Sequence, residues 1–212
     1  MQTQDVLKHP MDAATPGSEI AAMYLAVRTR SLSLVEGLTP EDMGLQSMED
    51  ASPTKWHLAH TSWFFETFVL VPHQKGYTSF HPDFQVLFNS YYNGIGEQFP
   101  RPKRHLLSRP SFDQVMQYRQ HVDGAMETLL RTQADVIQDL VTLGLNHEQQ
   151  HQELLITDLK YTFSHNPTHP KLNESSLVKD HNQESGWFKV EEGIYNIGHS
   201  SDSFCFDNEL GN

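Results

Sequence analysis

Four long amphipathic segments occupy the first 165 residues, and a helix with one apolar stripe has to bury that stripe against another element. Ile20, Met23, Tyr24, Val27, Leu32, Leu34 and Val35 recur at three-and-four spacing, which predicts a helix from about Ser18 to Leu38. Ser52-Pro53-Thr54 has the form of a helix start, with Ser52 as cap and Pro53 in the first turn, and predicts a second helix through KWHLAHTSWFFETFVLV to Pro72. Ser111-Phe112-Asp113 caps a third that reaches about Arg131, and a fourth spans about Ala134 to Phe163, with Gly144 as a mild weakness inside it. Thr39-Pro40-Glu41-Asp42 reads as a short helix start. The stretch 73–110, aromatic and then rich in Pro and Arg, predicts a long connection with one short helix around Phe84–Tyr92. The expectation is a mainly α fold, a four-helix bundle, whose metal sites form from side chains on facing helices.

The rest of the chain has a different texture. Residues 1–17 predict a flexible tail, 18–165 the bundle, and the polar, proline-bearing stretch 166–185 a linker. From Gly186 to Asn212, apolar and polar residues alternate around glycines, a strand-and-turn pattern too short to bury a core of its own. This predicts the β-type start of a second, truncated domain. Lys plus Arg number 15 against 27 Asp plus Glu, and a net charge of −12 argues against nonspecific nucleic-acid binding. No apolar run is long enough to cross a bilayer, no secretory signal is visible, and the single Cys205 suits a reducing cytoplasm.

The chemistry-bearing motif is NHEQQH, with His147, Glu148 and His151 in H-E-x-x-H spacing. Two histidines four apart on a helix share a face and can hold one metal ion. Among 13 histidines, however, roughly one such pair arises by chance, so the spacing alone is weak. His165 and His169 form another pair, beside prolines that disfavour a helix. A zinc peptidase of the extended motif class would need Gly at Leu154 and His at Thr157. A glutamate ligand from a later helix has no candidate before Glu174. Within a bundle, the third ligand comes instead from the second helix, which carries His57 and His60. His60 is the better candidate because Trp63, Phe64 and Thr67 continue its face, leaving His57 at the boundary. Satisfied core histidines with no metal are the competing reading.

Taken together, SPTKWHLAHTSWFFETFVL, LFNSYYNGIG, RPKRHLLSRP, LGLNHEQQHQELLITDLKY and GIYNIGHSSDSFCFDNE resemble the bacterial ergothioneine-biosynthesis sulfoxide synthases, the hercynine oxygenases. The resemblance covers about residues 18 to 209. It implies a DinB-like four-helix bundle followed by a domain of the formylglycine-generating-enzyme type. It also implies non-haem iron(II) held by His60, His147 and His151, Gln150 near the trimethylammonium group of hercynine, and Arg101 and Arg104 at the carboxylates of the thiol substrate. The implied reaction joins hercynine to γ-glutamylcysteine or cysteine with O₂. Glu148 would then be no base but an exposed residue about 100° around the helix from His147. The catalytic tyrosine of the family belongs to the C-terminal domain, whose beginning coincides with the end of this chain. Partners in this reading are hercynine, a thiol, O₂, and a separate C-terminal domain or a second copy. The alternatives are an inactive DinB-like metal-binding or structural bundle and a zinc peptidase.

Overall fold

The computed structural model describes residues 16–90, 92, 94–172 and 186–211. The expected tail (1–15 of it) and most of the expected linker lie outside them. The chain divides into two units, Met1–Leu172 and Asn173–Asn212.

In the first unit, helix α1 runs Pro16–Ser33, shorter than the predicted span; Gly37, at φ +83°, sits in the turn that follows. The short helix α2, Pro40–Gly44, begins at a capping box in which Thr39 and Asp42 satisfy each other's backbone N–H groups. Helix α3, Thr54–Phe65, continues through a π-helical turn, Glu66–Leu70, into α4, Val71–His73. In that wide turn Val71 N–H bonds back to the carbonyl of Glu66, just ahead of Pro72, which has no N–H to give. The Glu66 carboxylate turns inward, where it accepts from Tyr77 Oη, Tyr118 Oη and the Phe80 N–H. The expected helix around Phe84–Tyr92 is a single turn, α5, Phe84–Leu87, and the Arg-rich stretch forms a 3-10 turn, Arg101–Leu106.

Helix α6, Phe112–Ser164, opens on a second capping box, between Ser111 and Gln114. At Gln133 the backbone leaves helical geometry (φ −141°, ψ 26°), dividing α6 into two helices across a kink. Arg28 bonds Asp123 at 2.7 Å and Glu148 at 2.9 Å, although a straight helix would hold those two acids roughly 37 Å apart. The two halves of α6 therefore fold back on each other at Gln133, where the sequence predicts one helix ending and the next starting. The halves pack with α1 and α3 as four helical segments around one core, with Trp63, Phe65, Tyr118, Met126, Ile137 and Val141 fully buried.

Gly144 is needed where α6 meets α3. A Cβ there would stand 2.5 Å from Phe65 Cε1 and 2.9 Å from Phe64 Cε1. Alanine at this position gains about 1 kcal/mol of helix propensity but forces two buried rings to shift. Gly144→Ala is expected to destabilise the protein by about 1–3 kcal/mol in urea or thermal unfolding, with propensity losing to packing.

In the second unit, the expected β-type fragment does not form. Among the described residues 186–211 there is one isolated parallel bridge, His199 to Leu210, one 3-10 turn, Asp207–Glu209, and no strand. Trp187, Phe188, Ile194 and Ile197 are exposed, so the alternating apolar pattern has no partner sheet on which to become a ladder. Among the described residues, no helix is long and apolar enough to cross a membrane.

Candidate metal centre

Helix α3 is buried on nearly every side, from Trp56 through Phe65. Trp56, His60 and Trp63 fall at i, i+4 and i+7 and share one face. All three donate ring N–H groups to carbonyls at the end of α5: Trp56 to Leu87 at 3.0 Å, His60 Nδ1 to Phe88 at 2.6 Å and Trp63 to Gln85 at 3.2 Å. These are carbonyls that a helix C-terminus leaves unsatisfied, so the single turn of α5 is pinned by the ring N–H groups of α3. The His60 ring lies between the two indoles, 4.6 Å from Trp56 and 5.5 Å from Trp63 and nearly parallel to both. With Nδ1 donating, His60 Nε2 carries the lone pair.

That nitrogen faces His147 Nε2 at 3.2 Å, and the His151 ring lies 4.6 Å from both the His60 and His147 rings. His60, His147 and His151 each offer a nitrogen, all within 4.8 Å of one another. The upper end of that range is somewhat wider than the roughly 3–4 Å spacing of ligands held at about 2.1 Å from one ion, and the His60–His147 pair already lies at 3.2 Å. His147 Nδ1 is buried without a hydrogen-bond partner. If His147 Nε2–H donates to His60, that orphan stays; if it does not, two lone pairs face each other. A cation between the rings removes the second difficulty, and the donor set fits one. Burial lowers the basicity of all three rings. It holds His147 at about 4, and His60 and His151 well below the usual imidazole range, where neighbouring histidines depress them further. Neutral imidazole is the form that binds metal.

The cluster opens on a cavity of about 370 Å³. Its walls include Arg101, Arg104, Asp50, Tyr92, Gln150 and Asp158. The six residues singled out from the sequence are therefore brought together: three histidines, Gln150 on the exposed side, and the two arginines. Arg104 is 1% exposed, its guanidinium 3.4 Å above the Trp56 ring on the face away from His60, and it donates to Ser52 Oγ and Ser90 Oγ. Arg101 is half-buried and donates to the Asp50 carbonyl.

Three expectations need correction. Ser52 does not cap α3. Pro53 is the capping residue and makes no side-chain bond, while Ser52 Oγ accepts from Arg104 and its N–H donates to Asp158. His57 is not at a boundary but 4% exposed, because α3 is the central helix and has no solvent face at that position. Glu148 is not exposed either. It is 1% exposed and turned toward α1 and the first half of α6, where Ser31 and Arg119 donate to one oxygen and Arg28 to the other. Burial alone raises its pKa, but the charges of Arg28 and Arg119 outweigh that and hold it at about 2. With both oxygens engaged by Arg28, Arg119 and Ser31 and turned away from the histidines, Glu148 is not placed to act as the proton-accepting base of a zinc peptidase.

Sequence reasoning missed His57, Asp158 and the Trp56–Arg104 stack. His57 was weighed only as the lesser of two ligand candidates, and Asp158 left a trace in lying seven residues after His151, on nearly the same helix face. Compared with known proteins, the chain matches no curated protein, whereas residues 23–155, more than half its length, match the DinB superfamily. That match spans all three histidines, the cavity-lining arginines and most of the four packed helical segments, and the chain belongs to the DinB superfamily.

Proposed function

We propose that this chain is the metal-binding N-terminal part of a non-haem iron(II), O₂-dependent sulfoxide synthase that joins hercynine to a thiol, γ-glutamylcysteine or cysteine. The observation that carries the proposal is the convergence of three neutral imidazoles from two helices beside a cavity walled by a buried guanidinium. His60, His147 and His151 would hold the ion. Iron(II), when bound, supplies the redox capacity for O₂-dependent C–S bond formation, and three neutral ligands leave it open positions.

The chain's own residues would do the rest. Arg104, flattened on Trp56, presents a planar fork suited to a carboxylate, and Arg101 adds a second cation at the cavity wall. Gln150 would contribute at the hercynine end. Residues 186–212 would begin a domain of the formylglycine-generating-enzyme type, joined by 166–185, and the single cysteine suits a cytoplasmic setting.

The test is anaerobic reconstitution of the full chain with iron(II), followed by hercynine, thiol and O₂, with and without a supplied C-terminal domain. Sulfoxide detected by mass spectrometry supports the reading. Failure to bind iron rejects it, and bound iron with no product under either condition leaves a non-catalytic metal-binding bundle. Where turnover is seen, Arg104→Lys is expected to raise KM for the thiol about tenfold or more, equivalent to about 1.4 kcal/mol, because an ammonium keeps the charge but loses the fork. Iron affinity should hold in the same variant.

A further inference from the structure

His57 and Asp158 lie outside the ligand set and touch one of its members. His57 Nε2 is 3.3 Å from Asp158 Oδ2, and His57 Nδ1 is 2.8 Å from His151 Nδ1. The same Asp158 oxygen accepts from the Ser52 N–H at 3.1 Å, which fixes the carboxylate at the start of α3. From His151 to Asp158 is seven residues, two turns along one face of α6 and roughly 10 Å, and the His57 ring from α3 fills that gap.

We propose that His57 and Asp158 are positioning residues that set the tautomer and orientation of His151 so that its Nε2 faces the metal. A carboxylate only accepts, so in neutral His57 the single ring proton sits on Nε2 and Nδ1 presents a lone pair. That lone pair requires a proton on His151 Nδ1, which leaves His151 Nε2 as the ligand atom. His60 is oriented in the same sense by a different acceptor, the Phe88 carbonyl. Two of the three candidate ligands thus have Nδ1 engaged and Nε2 directed inward, while His147 Nδ1 has no such partner. Metal-binding histidines commonly depend on an acceptor of this kind. Here the acceptor is a second imidazole, itself held by a carboxylate.

The inference rests on the metal-site part of the reading above and not on the reaction proposed there. The bland alternative is that Asp158 merely ties α6 to the start of α3 and His57 fills space. Two measurements on the full chain separate these. The first needs no metal: long-range ¹H–¹⁵N spectra of the imidazoles should show His151 protonated at Nδ1 in the parent protein, and shifted toward the Nε2–H form in His57→Phe. The second is anaerobic titration with cobalt(II), followed by its visible spectrum. His57→Phe and Asp158→Ala should weaken binding roughly 10- to 100-fold. His57→Gln, which can place a carbonyl oxygen at the acceptor position, should recover much of that loss. Should His57→Phe fail to fold, the His151 tautomer in the parent protein and in Asp158→Ala carries the test. The idea is overturned if His151 is Nε2-protonated in the parent protein, or if both deletions bind cobalt within about threefold of the parent. A parent protein that binds no cobalt yet shows the Nδ1–H tautomer refutes the metal site and the positioning role with it.

Discussion

His60→Ala is expected to abolish metal retention, lowering cobalt(II) or iron(II) affinity by more than the roughly 10- to 100-fold typical of losing an outer-shell partner. His60 is the one candidate ligand from α3. Without it the site is the bare i,i+4 pair of α6, two imidazoles that no longer close on an ion from opposing helices. The substitution also removes a ring from between Trp56 and Trp63 and leaves the Phe88 carbonyl without its donor. Metal-free stability should therefore fall as well, by about 2–4 kcal/mol. His151→Ala separates the two effects, since His151 is only half-buried and should cost less in folding while still losing the metal. Equilibrium dialysis with metal analysis, run beside urea unfolding, reads both. Affinity unchanged in both variants would show that the three rings do not form the binding site.

Glu148→Ala should be the most destabilising single change in the motif, costing about 3–5 kcal/mol. The carboxylate lies between two guanidiniums that are themselves buried, Arg28 at 2% and Arg119 at 1% exposure. Taking away the anion leaves two like charges in the interior, with Arg28 keeping only its Asp123 ion pair and Arg119 losing its own. The intact cluster need not be strongly stabilising overall, because burying three charges has its own large desolvation cost. The combined variant Arg28→Met, Glu148→Met, Arg119→Met should accordingly recover much of the loss, whereas Glu148→Ala alone should not. Chemical denaturation of the single and combined variants checks this. A loss below about 1 kcal/mol for Glu148→Ala would mean that the cluster is hydrated in solution and that the residue is no anchor between α1 and α6.

The two residues next to each other in NHEQQH thus divide the labour of the helix. His147 faces α3 and the cavity, and Glu148, one residue on and about 100° around, faces α1. Helical geometry makes the angular difference legible from the sequence. It does not say that the second direction leads into another helix rather than into water, and that decides between an idle surface glutamate and a buried charge.

Local signals determined a good deal. The Thr39 and Ser111 caps, the three-and-four apolar spacing and the break between Arg131 and Ala134 mark the helical segments, because each depends on residues within a turn or two. The choice of His60 over His57 followed from the apolar face that continues through Trp63 and Phe64. The 3-10 turn at Arg101–Leu106 and the unformed ladder after Gly186 were not legible in this way, since each depends on what the segment packs against. Tertiary structure alone decided that rings 87 residues apart meet at 3.2 Å, that Arg104 lies flat on Trp56, and that His57 sits between Asp158 and His151. The physical reason is range. Capping and periodicity act along the chain, whereas a ligand set, a buried ion cluster and a positioning hydrogen bond exist only once the fold-back at Gln133 and the burial of α3 have chosen which side chains share a space.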